Sequence, residues 1–356
     1  MPLKVMLIKD SYDGAYESFI FFYEQIKQIL ENKNIDVVIA NDVDEAISYF
    51  ENEQISFTIS IGQYHFFKNN TPLYDVYKIM NYQWIIDNPL RYESFDPMSL
   101  YNKPVYIDRN FSYFNDFKYY HHLSLPLPIS ISSATQNKEF CILAPLKVKS
   151  LRFFETMINT SSMKDIMWAF INSYDLDEPF SVKISDFMKN NSIDDIRTFF
   201  ELTNGYIRIK KRLKFISSIK RHKVVVLSKN IDNLNLGENI IFKDPVSYSE
   251  TIELIDKYVF VLNVNPNFDY CIHDRALLAI MQDSIVISDK NGLLDELSMP
   301  LCLKYSQLDE VDKLLDDIVI EKIKRKQKEC IKNYYGESVI DQIISDFKKG
   351  IQNVVE

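Results

Sequence analysis

Glycine is scarce in this chain, with seven among 356 residues. An average usage of about 7% would give roughly twenty-five. The seven stand far apart, so neither GxGxxG nor GxxxxGK[ST] occurs. The sequence therefore excludes the glycine fingerprints of dinucleotide and P-loop sites. Any phosphate bound here has to be met by helix N-termini and side chains.

Cysteine is also sparse, and its four positions form no CxxC pair: Cys141, Cys271, Cys302 and Cys330. Such spacing favours neither a structural metal site nor a disulfide framework. We expect these side chains to be small buried hydrophobic groups in the reducing environment of a cytoplasm.

Long hydrophobic runs and an excess of positive charge are missing as well. No stretch approaches the roughly 18 apolar residues of a membrane span. The opening apolar run ends at Lys9 and Asp10, so it predicts a buried strand rather than a secretory signal. The formal net charge of -9 argues against a nucleic-acid partner, because nucleic-acid-binding proteins usually carry a basic excess. We expect a soluble cytoplasmic protein that binds no nucleic acid.

Short runs rich in β-branched residues recur along the sequence, without the polar alternation of a half-exposed strand. They predict strands of parallel sheets that are buried on both faces, at 4–8, 36–39, 57–61, 83–86, 140–143, 224–228, 240–243, 259–264, 285–288 and 301–304. Helical patterns separate them, two of which open on capping-box spacings, Asp42 with Glu45 and Ser247 with Glu250. Alternating strands and helices predict an α/β fold with doubly wound sheets.

A proline- and serine-rich stretch, 125–133, interrupts this series and reads as a linker. We therefore predict a first Rossmann-like domain over 1–130, a second over 138–330, and a helical tail over 331–356 that packs back toward the first domain. Two facing domains of this kind place the loops at the carboxyl ends of their strands around one cleft.

The segment 261–281 carries the clearest chemical signal. A buried strand ends near Asn265, Pro266 stops its continuation, and a helix capped near Asp274 follows a polar loop. The start of that helix brings together backbone N–H groups, His273 and Arg275, which suits a diphosphate. The next strand ends at Ser288 and Asp289, polar groups suited to a sugar or a ribose.

These residues also resemble a known family. The pattern N-x-x-P-x-F at 263–268, H-D-R at 273–275 and V-x-S-D at 286–289 resembles the C-terminal domain of CgeB-like (spore-maturation-type) bacterial glycosyltransferases of the group-1 GT-B superfamily. The likeness covers about 205–305 and is weaker elsewhere. It implies a GT-B fold and a metal-independent transfer of a hexose-type unit from a nucleotide sugar, most plainly a UDP- or GDP-sugar.

The resemblance also implies roles for individual residues. His273, Asp274 and Arg275 would face the donor diphosphate, while Asn265 would shape the loop before them. Ser288 and Asp289 would lie near the sugar or nucleoside.

The sequence departs from the family at two positions. Many relatives carry a ribose-binding glutamate where this chain has Leu278, and a small residue or glycine near Asp283.

A second cation for the diphosphate has two candidates. Lys229 follows a predicted strand, and Arg212 belongs to the basic run 210–223, which is most simply a solvated helix face.

An acceptor hydroxyl needs a protein base only if the reaction inverts the anomeric carbon. Asp13, His65 and Asp87 are the candidates, since each follows a predicted strand of the first domain. Asp87 stands in Asp87-Asn88-Pro89, which resembles a D-H-P turn of the family.

The sequence thus predicts a glycosyltransferase acting on an unidentified glycan, protein or small-molecule acceptor. A non-catalytic glycosyltransferase-like subunit that binds a partner enzyme or a sugar is the alternative, and a two-domain small-molecule-binding protein is a weaker third.

Overall fold

The computed structural model describes the following residues: 3–9, 18–62, 67–86, 99–108, 120–121, 138–146, 150–229, 233–334 and 336–355. The chain divides into two compact units, the first made of Met1–Ile129 with Asn333–Glu356 and the second of Ser130–Lys332.

The first unit is built on six parallel strands and a small antiparallel hairpin. Its strands are β1 (Lys4–Ile8), β2 (Asp36–Ala40), β3 (Phe57–Ile61), β4 (Phe67–Lys68), β5 (Thr71–Pro72), β6 (Asn81–Ile85), β7 (Asn102–Tyr106) and β8 (Tyr120–His121). Its first helices are α1 (Ser18–Asn32), α2 (Val43–Asn52) and α3 (Leu73–Tyr77). The sheet runs in the order β2-β1-β3-β6-β7-β8, so its direction of winding reverses between β1 and β3.

The second unit repeats the architecture with more helices. Its strands are β9 (Glu139–Ala144), β10 (Val224–Leu227), β11 (Ile240–Lys243), β12 (Tyr258–Asn263), β13 (Ile285–Asp289) and β14 (Cys302–Leu303). Its helices are α4 (Leu151–Thr160), α5 (Lys164–Ser173), α6 (Phe180–Asn190), α7 (Ile196–Ser218), α8 (Tyr248–Lys257), α9 (Asp274–Met281), α10 (Gly292–Glu296), a 3-10 helix (Tyr305–Glu310), α11 (Val311–Asp316) and α12 (Ile320–Ile331).

The six strands of the second unit are all parallel, in the order β11-β10-β9-β12-β13-β14. Counted along the chain this is 3-2-1-4-5-6, the doubly wound Rossmann order. The winding reverses between β9 and β12, and ligands of such sheets bind outside the carboxyl ends of the strands at that reversal. The topology therefore singles out the end of β12 as a position for a site.

The last helix, α13 (Gly336–Val355), returns to the first unit. Asp346 accepts a hydrogen bond from the Tyr82 hydroxyl at 2.7 Å and pairs with Lys103 at 2.6 Å. Phe347 packs on Phe57 with ring centroids 4.9 Å apart. The prediction of two Rossmann-like α/β domains with a C-terminal helix crossing back is confirmed.

The predicted strands agree closely with the observed ones. Runs 4–8, 57–61 and 240–243 coincide with β1, β3 and β11, and the others differ by two residues or fewer at each end. The capping box of α8 forms: the Ser247 side chain accepts from the backbone N–H of Glu250, whose carboxylate accepts from the backbone N–H of Ser247. At α2 the Asp42 side chain accepts from the Glu45 N–H, but the Glu45 carboxylate accepts from the N–H of Asn41, one residue before the N-cap, so the predicted box is only half formed.

Asparagine takes over part of glycine's conformational role. Among the described non-glycine residues, a positive φ occurs at Asn34, Asn69, Asn70, Lys78, Asn233, Asn267, Asp283, Ser298 and Leu301. Asparagine, which tolerates the left-handed region better than most residues, thus holds most of these positions. In the part of the chain that the structure describes, no helix is long and apolar enough to cross a membrane.

Candidate functional site

Two polar side chains meet where β12 and β13 end. Asn263 and Ser288 are paired in the parallel register of these strands. The Asn263 amide donates to the Ser288 hydroxyl at 3.0 Å. Both side chains are fully buried, so this pair fixes the carboxyl edge of the sheet beside the reversal point.

Asp289 anchors the loop that follows β12. One of its carboxylate oxygens accepts from the backbone N–H and the side-chain amide of Asn265, both at 2.8 Å. The other oxygen accepts from the Tyr305 hydroxyl at 3.1 Å. Burial raises the pKa of Asp289, and the nearby Lys211 charge opposes that rise. The structure thus engages Asp289 with the protein itself, and its contacts with Asn265 hold the start of the loop.

The middle of the same loop is tied to the helices before β10. Asp269 accepts from the backbone N–H groups of Phe180 and Ser181, each at 2.6 Å, and so caps α6. Asn267 lies in the left-handed region with φ 60° and donates to the Asn204 side chain of α7 at 2.7 Å. These contacts, together with Asp289, hold the loop 264–273 from two sides.

Helix α9 begins one residue after His273. The His273 Nδ1 lies against a carboxylate oxygen of Asp274, and the Arg275 backbone N–H approaches the same nitrogen at 3.4 Å. Since 3.4 Å is long for a hydrogen bond, we assign the Nδ1 proton to the contact with Asp274. The second Asp274 oxygen accepts from the Tyr248 hydroxyl at 2.8 Å.

The pKa values of His273 and Asp274 depend on their burial and on the charges next to them. Burial lowers the pKa of His273, and the Arg275 and Arg212 charges add to that effect against the pull of Asp274. Burial alone would raise the pKa of Asp274, but contact with His273 and the Arg275 charge outweigh it and hold that pKa below its ordinary value. His273 is therefore neutral and Asp274 ionised at neutral pH.

Three guanidinium groups lie near one another beside His273 and Asp274. Arg275 donates to the Asn263 side-chain oxygen at 3.3 Å, so it lies at the end of β12. Burial lowers the pKa of Arg212, and repulsion from Arg208 and Arg275 lowers it further. Arg208 and Arg212 are four residues apart on α7 and share one face of that helix. We call Arg208, Arg212 and Arg275 the arginine cluster.

The burial of α7 corrects one expectation. Lys210 and Lys214 are exposed, as a solvated helix face requires, but Lys211 and Arg212 are only 6% and 7% exposed. The basic run is therefore not one solvated face. The side chains of Lys211 and Arg212 point into the second unit because they lie on the packed face of α7. Arg212 is one of the two residues that we proposed as a second cation for the diphosphate.

Three other positions singled out in the sequence have different surroundings. Lys229 is exposed and follows β10 at the same edge of the sheet. Leu278 is 1% exposed inside α9. Asp283 adopts the left-handed conformation, with φ 61°, that a glycine would favour, and it pairs with Lys324 and Lys328.

The three candidate bases, Asp13, His65 and Asp87, lie outside the described residues. Among the described residues, no group of three or more His, Cys, Asp or Glu side chains is arranged to hold a metal ion.

Sequence reasoning missed several supporting residues: Arg208, Lys211, Tyr248, Asp269 and Tyr305. Arg208 had a usable signal, its spacing of four from Arg212. Lys211, Tyr248 and Tyr305 approach the site from distant parts of the chain, and Asp269 lies in the loop itself but has distant partners, Phe180 and Ser181, which local patterns do not reveal.

No protein-family profile matches the sequence, and no curated protein sequence matches it either. Solved structures do match over nearly the whole chain. One is an alpha-glucosyltransferase in complex with UDP-glucose and DNA containing an abasic site, with 8% identity and a TM-score of 0.57, covering 98% of this chain and 100% of that one. Another is an alpha-glucosyltransferase in complex with UDP and a 13-mer DNA containing an HMU base, with 11% identity and a TM-score of 0.53, covering 98% and 99%.

A third is the DNA-modifying enzyme beta-glucosyltransferase, solved with and without uridine diphosphoglucose, with 10% identity and a TM-score of 0.50, covering 97% and 99%. These neighbours contradict our exclusion of nucleic acid, because proteins of this fold are solved with DNA together with UDP or UDP-glucose. The net charge of a whole chain was the wrong ground for that exclusion. The comparisons and the two parallel sheets agree on the fold: this chain has the GT-B fold.

Proposed function

We propose that this chain is a glycosyltransferase that binds a nucleoside-diphosphate sugar in its second unit and transfers the sugar to an acceptor. The arginine cluster is the observation that carries the proposal. It lies at the carboxyl end of β12, next to the reversal of the sheet order, where doubly wound sheets bind their ligands.

Gathering like charges in a buried place is unfavourable unless opposite charge compensates them. Arg275 has Asp274 nearby, and Arg212 has Asp289 and the Tyr305 hydroxyl. A diphosphate supplies further compensation, and guanidinium groups match phosphate oxygens in geometry and charge. In this glycine-poor chain, these side chains would bind the phosphates in place of the backbone N–H groups of a glycine-rich loop.

The same groups would serve the reaction. When the bond from the sugar to the diphosphate breaks, negative charge grows on the leaving diphosphate, and fixed cations lower the barrier by stabilising that charge. Arg275 and Arg212 would take this role, with Lys229 as a further cation at the same edge. His273, Asp274 and Tyr248 would hold Arg275 in position. Ser288 and Asp289 would border the sugar or nucleoside.

Two finer points belong to the proposal. The motifs of 263–289 support membership of the CgeB-like glycosyltransferases. In an inverting reaction Asp13, His65 or Asp87 would deprotonate the acceptor, whereas a retaining reaction would leave that proton to the donor phosphate.

Nucleotide binding is the first test. We expect UDP or GDP to raise the melting temperature in a panel with TDP and CMP, since a ligand at about one hundred times its Kd adds roughly 2.7 kcal/mol. Arg275→Ala should weaken binding by about 10- to 100-fold, because a charged hydrogen bond contributes roughly 1.5–3 kcal/mol.

Arg197→Ala is the matched control, since Arg197 is exposed on α7 and pairs with Glu201. If no nucleotide shifts the melting temperature, or if Arg275→Ala binds as tightly as the control, the donor site is not where we place it.

Transfer is the second test. Radiolabelled UDP-glucose and GDP-sugars should lose their sugar to water or to an acceptor. The acceptor panel includes duplex DNA with and without hydroxymethylated bases, because the structural neighbours were solved with DNA. Glycan, protein and small-molecule acceptors complete the panel.

A non-catalytic glycosyltransferase-like subunit is the second candidate. Two observations favour it: Leu278 is a buried hydrophobic residue, and both Asp289 oxygens are engaged by Asn265 and Tyr305. Neither position then offers a carboxylate to a ribose. Nucleotide binding without donor hydrolysis or transfer would select this reading.

A further inference from the structure

A buried lysine, Lys211, lies near the loop 264–273, which we call the donor loop. Lys211 is 6% exposed and lies in the second half of α7. Its ammonium nitrogen is 5.5 Å from the centre of the Tyr174 ring and 5.8 Å from that of Tyr305. Such positions over aromatic faces stabilise a cation, the more so where water is excluded.

Three carboxylates act on the Lys211 charge, those of Asp289, Asp269 and Asp177. Each of them accepts backbone N–H groups from a different segment. Asp289 binds Asn265 at the start of the donor loop, Asp269 binds Phe180 and Ser181 at the start of α6, and Asp177 binds Tyr305 and Ser306 in the 3-10 helix.

Tyr305 links these groups a second time. Its ring lies beneath Lys211, its hydroxyl donates to Asp289, and its backbone N–H donates to Asp177. One cation thus acts on the carboxylates that hold the start of the loop 264–273, its middle and the start of the 3-10 helix.

We propose that Lys211 is a positioning residue, whose charge keeps Asp289 and Asp269 ionised and thereby fixes the loop that presents Arg275 to the donor. The effect on donor binding rests on the proposed function, whereas the effect on the loop does not.

The physical reason is that the positive charge of Lys211 compensates buried carboxylates that water does not reach. A buried carboxylate that loses its counter-charge either takes up a proton or draws in water. A protonated Asp289 accepts less strongly from the Asn265 N–H, and the loop loosens. Lys211 is near three carboxylates and two tyrosine rings, and burial lowers its pKa while the carboxylates oppose that change.

Lys211→Met tests this directly, because methionine keeps the length of the side chain and removes its charge. Lys214→Met is the matched control, since Lys214 is exposed on the same helix and its nitrogen is also 5.8 Å from the Tyr305 ring centre. We expect Lys211→Met to lower the melting temperature by about 5 °C or more at pH 8. The loss should shrink at pH 5, where the orphaned carboxylates take up protons more readily.

A rescue separates this role from simple loss of packing. Asp289→Asn keeps an oxygen for Asn265 and removes one negative charge. In the Lys211→Met background it should restore at least half of the lost melting temperature, which it could not do if the methionine had merely packed badly. Where UDP or GDP binds the wild type, Lys211→Met should weaken that binding about tenfold.

The outcomes are distinguishable. Failure of every nucleotide to bind the wild type refutes the proposed function, and the melting temperatures still decide the role of Lys211. A Lys211→Met protein that melts like Lys214→Met at both pH values, or that gains nothing from Asp289→Asn, overturns the inference.

Discussion

The few glycines of this chain allow a sharp stability test, because two of them lie inside helices with opposite surroundings. Gly205 lies in α7, three residues before Arg208, and Gly350 lies in α13. A Cβ atom built on Gly205 would lie 2.2 Å and 2.5 Å from two ring carbons of Phe154, whereas one on Gly350 would have nothing within 4 Å. Alanine at the two positions should therefore act in opposite directions.

Whether each alanine stabilises or destabilises depends on helix propensity compared with the cost of the clash. Alanine is favoured over glycine inside a helix by about 0.8–1.0 kcal/mol. At Gly350 this gain stands alone, so Gly350→Ala should raise the melting temperature of its unit by a few degrees. At Gly205 the ring would have to move by more than 1 Å to reach the ordinary carbon–carbon separation of roughly 3.5–4.0 Å. Phe154 is buried, and overpacking of this kind costs roughly 1–3 kcal/mol.

We therefore expect Gly205→Ala to be destabilising by up to roughly 2 kcal/mol net, a fall of up to about 8 °C. Scanning calorimetry is the suitable assay, because it follows the two units separately if they melt apart. Gly205→Ala combined with Phe154→Leu should regain part of the loss. A Gly205→Ala protein that melts above the wild type would refute the reasoning, since helix propensity would then have outweighed the clash.

Three further outcomes follow from single contacts. Gln327→Leu should cost about 3 kcal/mol or more by equilibrium denaturation, because the Gln327 amide exchanges two hydrogen bonds with the Val286 backbone and donates to Pro300 as well. Ser247→Ala removes the capping box of α8 and should cost about 1 kcal/mol in the same assay. The pKa of His273 in the folded protein is below 6.5, so the free energy of unfolding of the wild type falls as the pH drops through 6.5. His273→Asn should make that fall less steep. An equally steep fall in the variant would exclude His273 as its source.

The sheets were predictable because both-face burial leaves a direct mark on sequence. Runs such as 224–228 and 259–264 are largely apolar without alternation, and they form strands that are buried along their length. At the edge of the second sheet, β11 forms where predicted but is only partly buried. β7 was missed because it begins on Asn102 and contains Pro104, features that argue against a strand. Its polar start is explained only by its neighbours, since the Asn81 amide donates to the Asn102 side chain at 2.8 Å across the sheet. The hairpin of β4 and β5 turns on Asn69 and Asn70, both at positive φ, in place of a glycine.

The candidate site was predictable in part, for a reason of chain order. Asn265, the helix start at His273 and the end of β13 at Asp289 lie within 25 residues of sequence, so a local pattern describes them. Their partners do not: Asp269 reaches back to Phe180, and Arg275 meets Arg212 of α7 only in the folded chain. Which cations of a basic run are buried depends on the helix face that packs, and that is a tertiary property.

The wrong prediction about nucleic acid also arose because the positions of charges in the folded chain are not visible in its composition. Net charge sums charges over the whole molecule, whereas a bound phosphate responds to charges within a Debye length, about 8 Å at physiological ionic strength. This chain carries a formal charge of -9 and still collects Arg208, Arg212 and Arg275 in one corner. A surface can do the same: on α12, the residues Lys322, Arg325 and Lys326 are exposed at spacings that place them on one helix face. Overall acidity therefore limits non-specific attraction to a polyanion, while recognition of a particular phosphate depends on the local arrangement of cations.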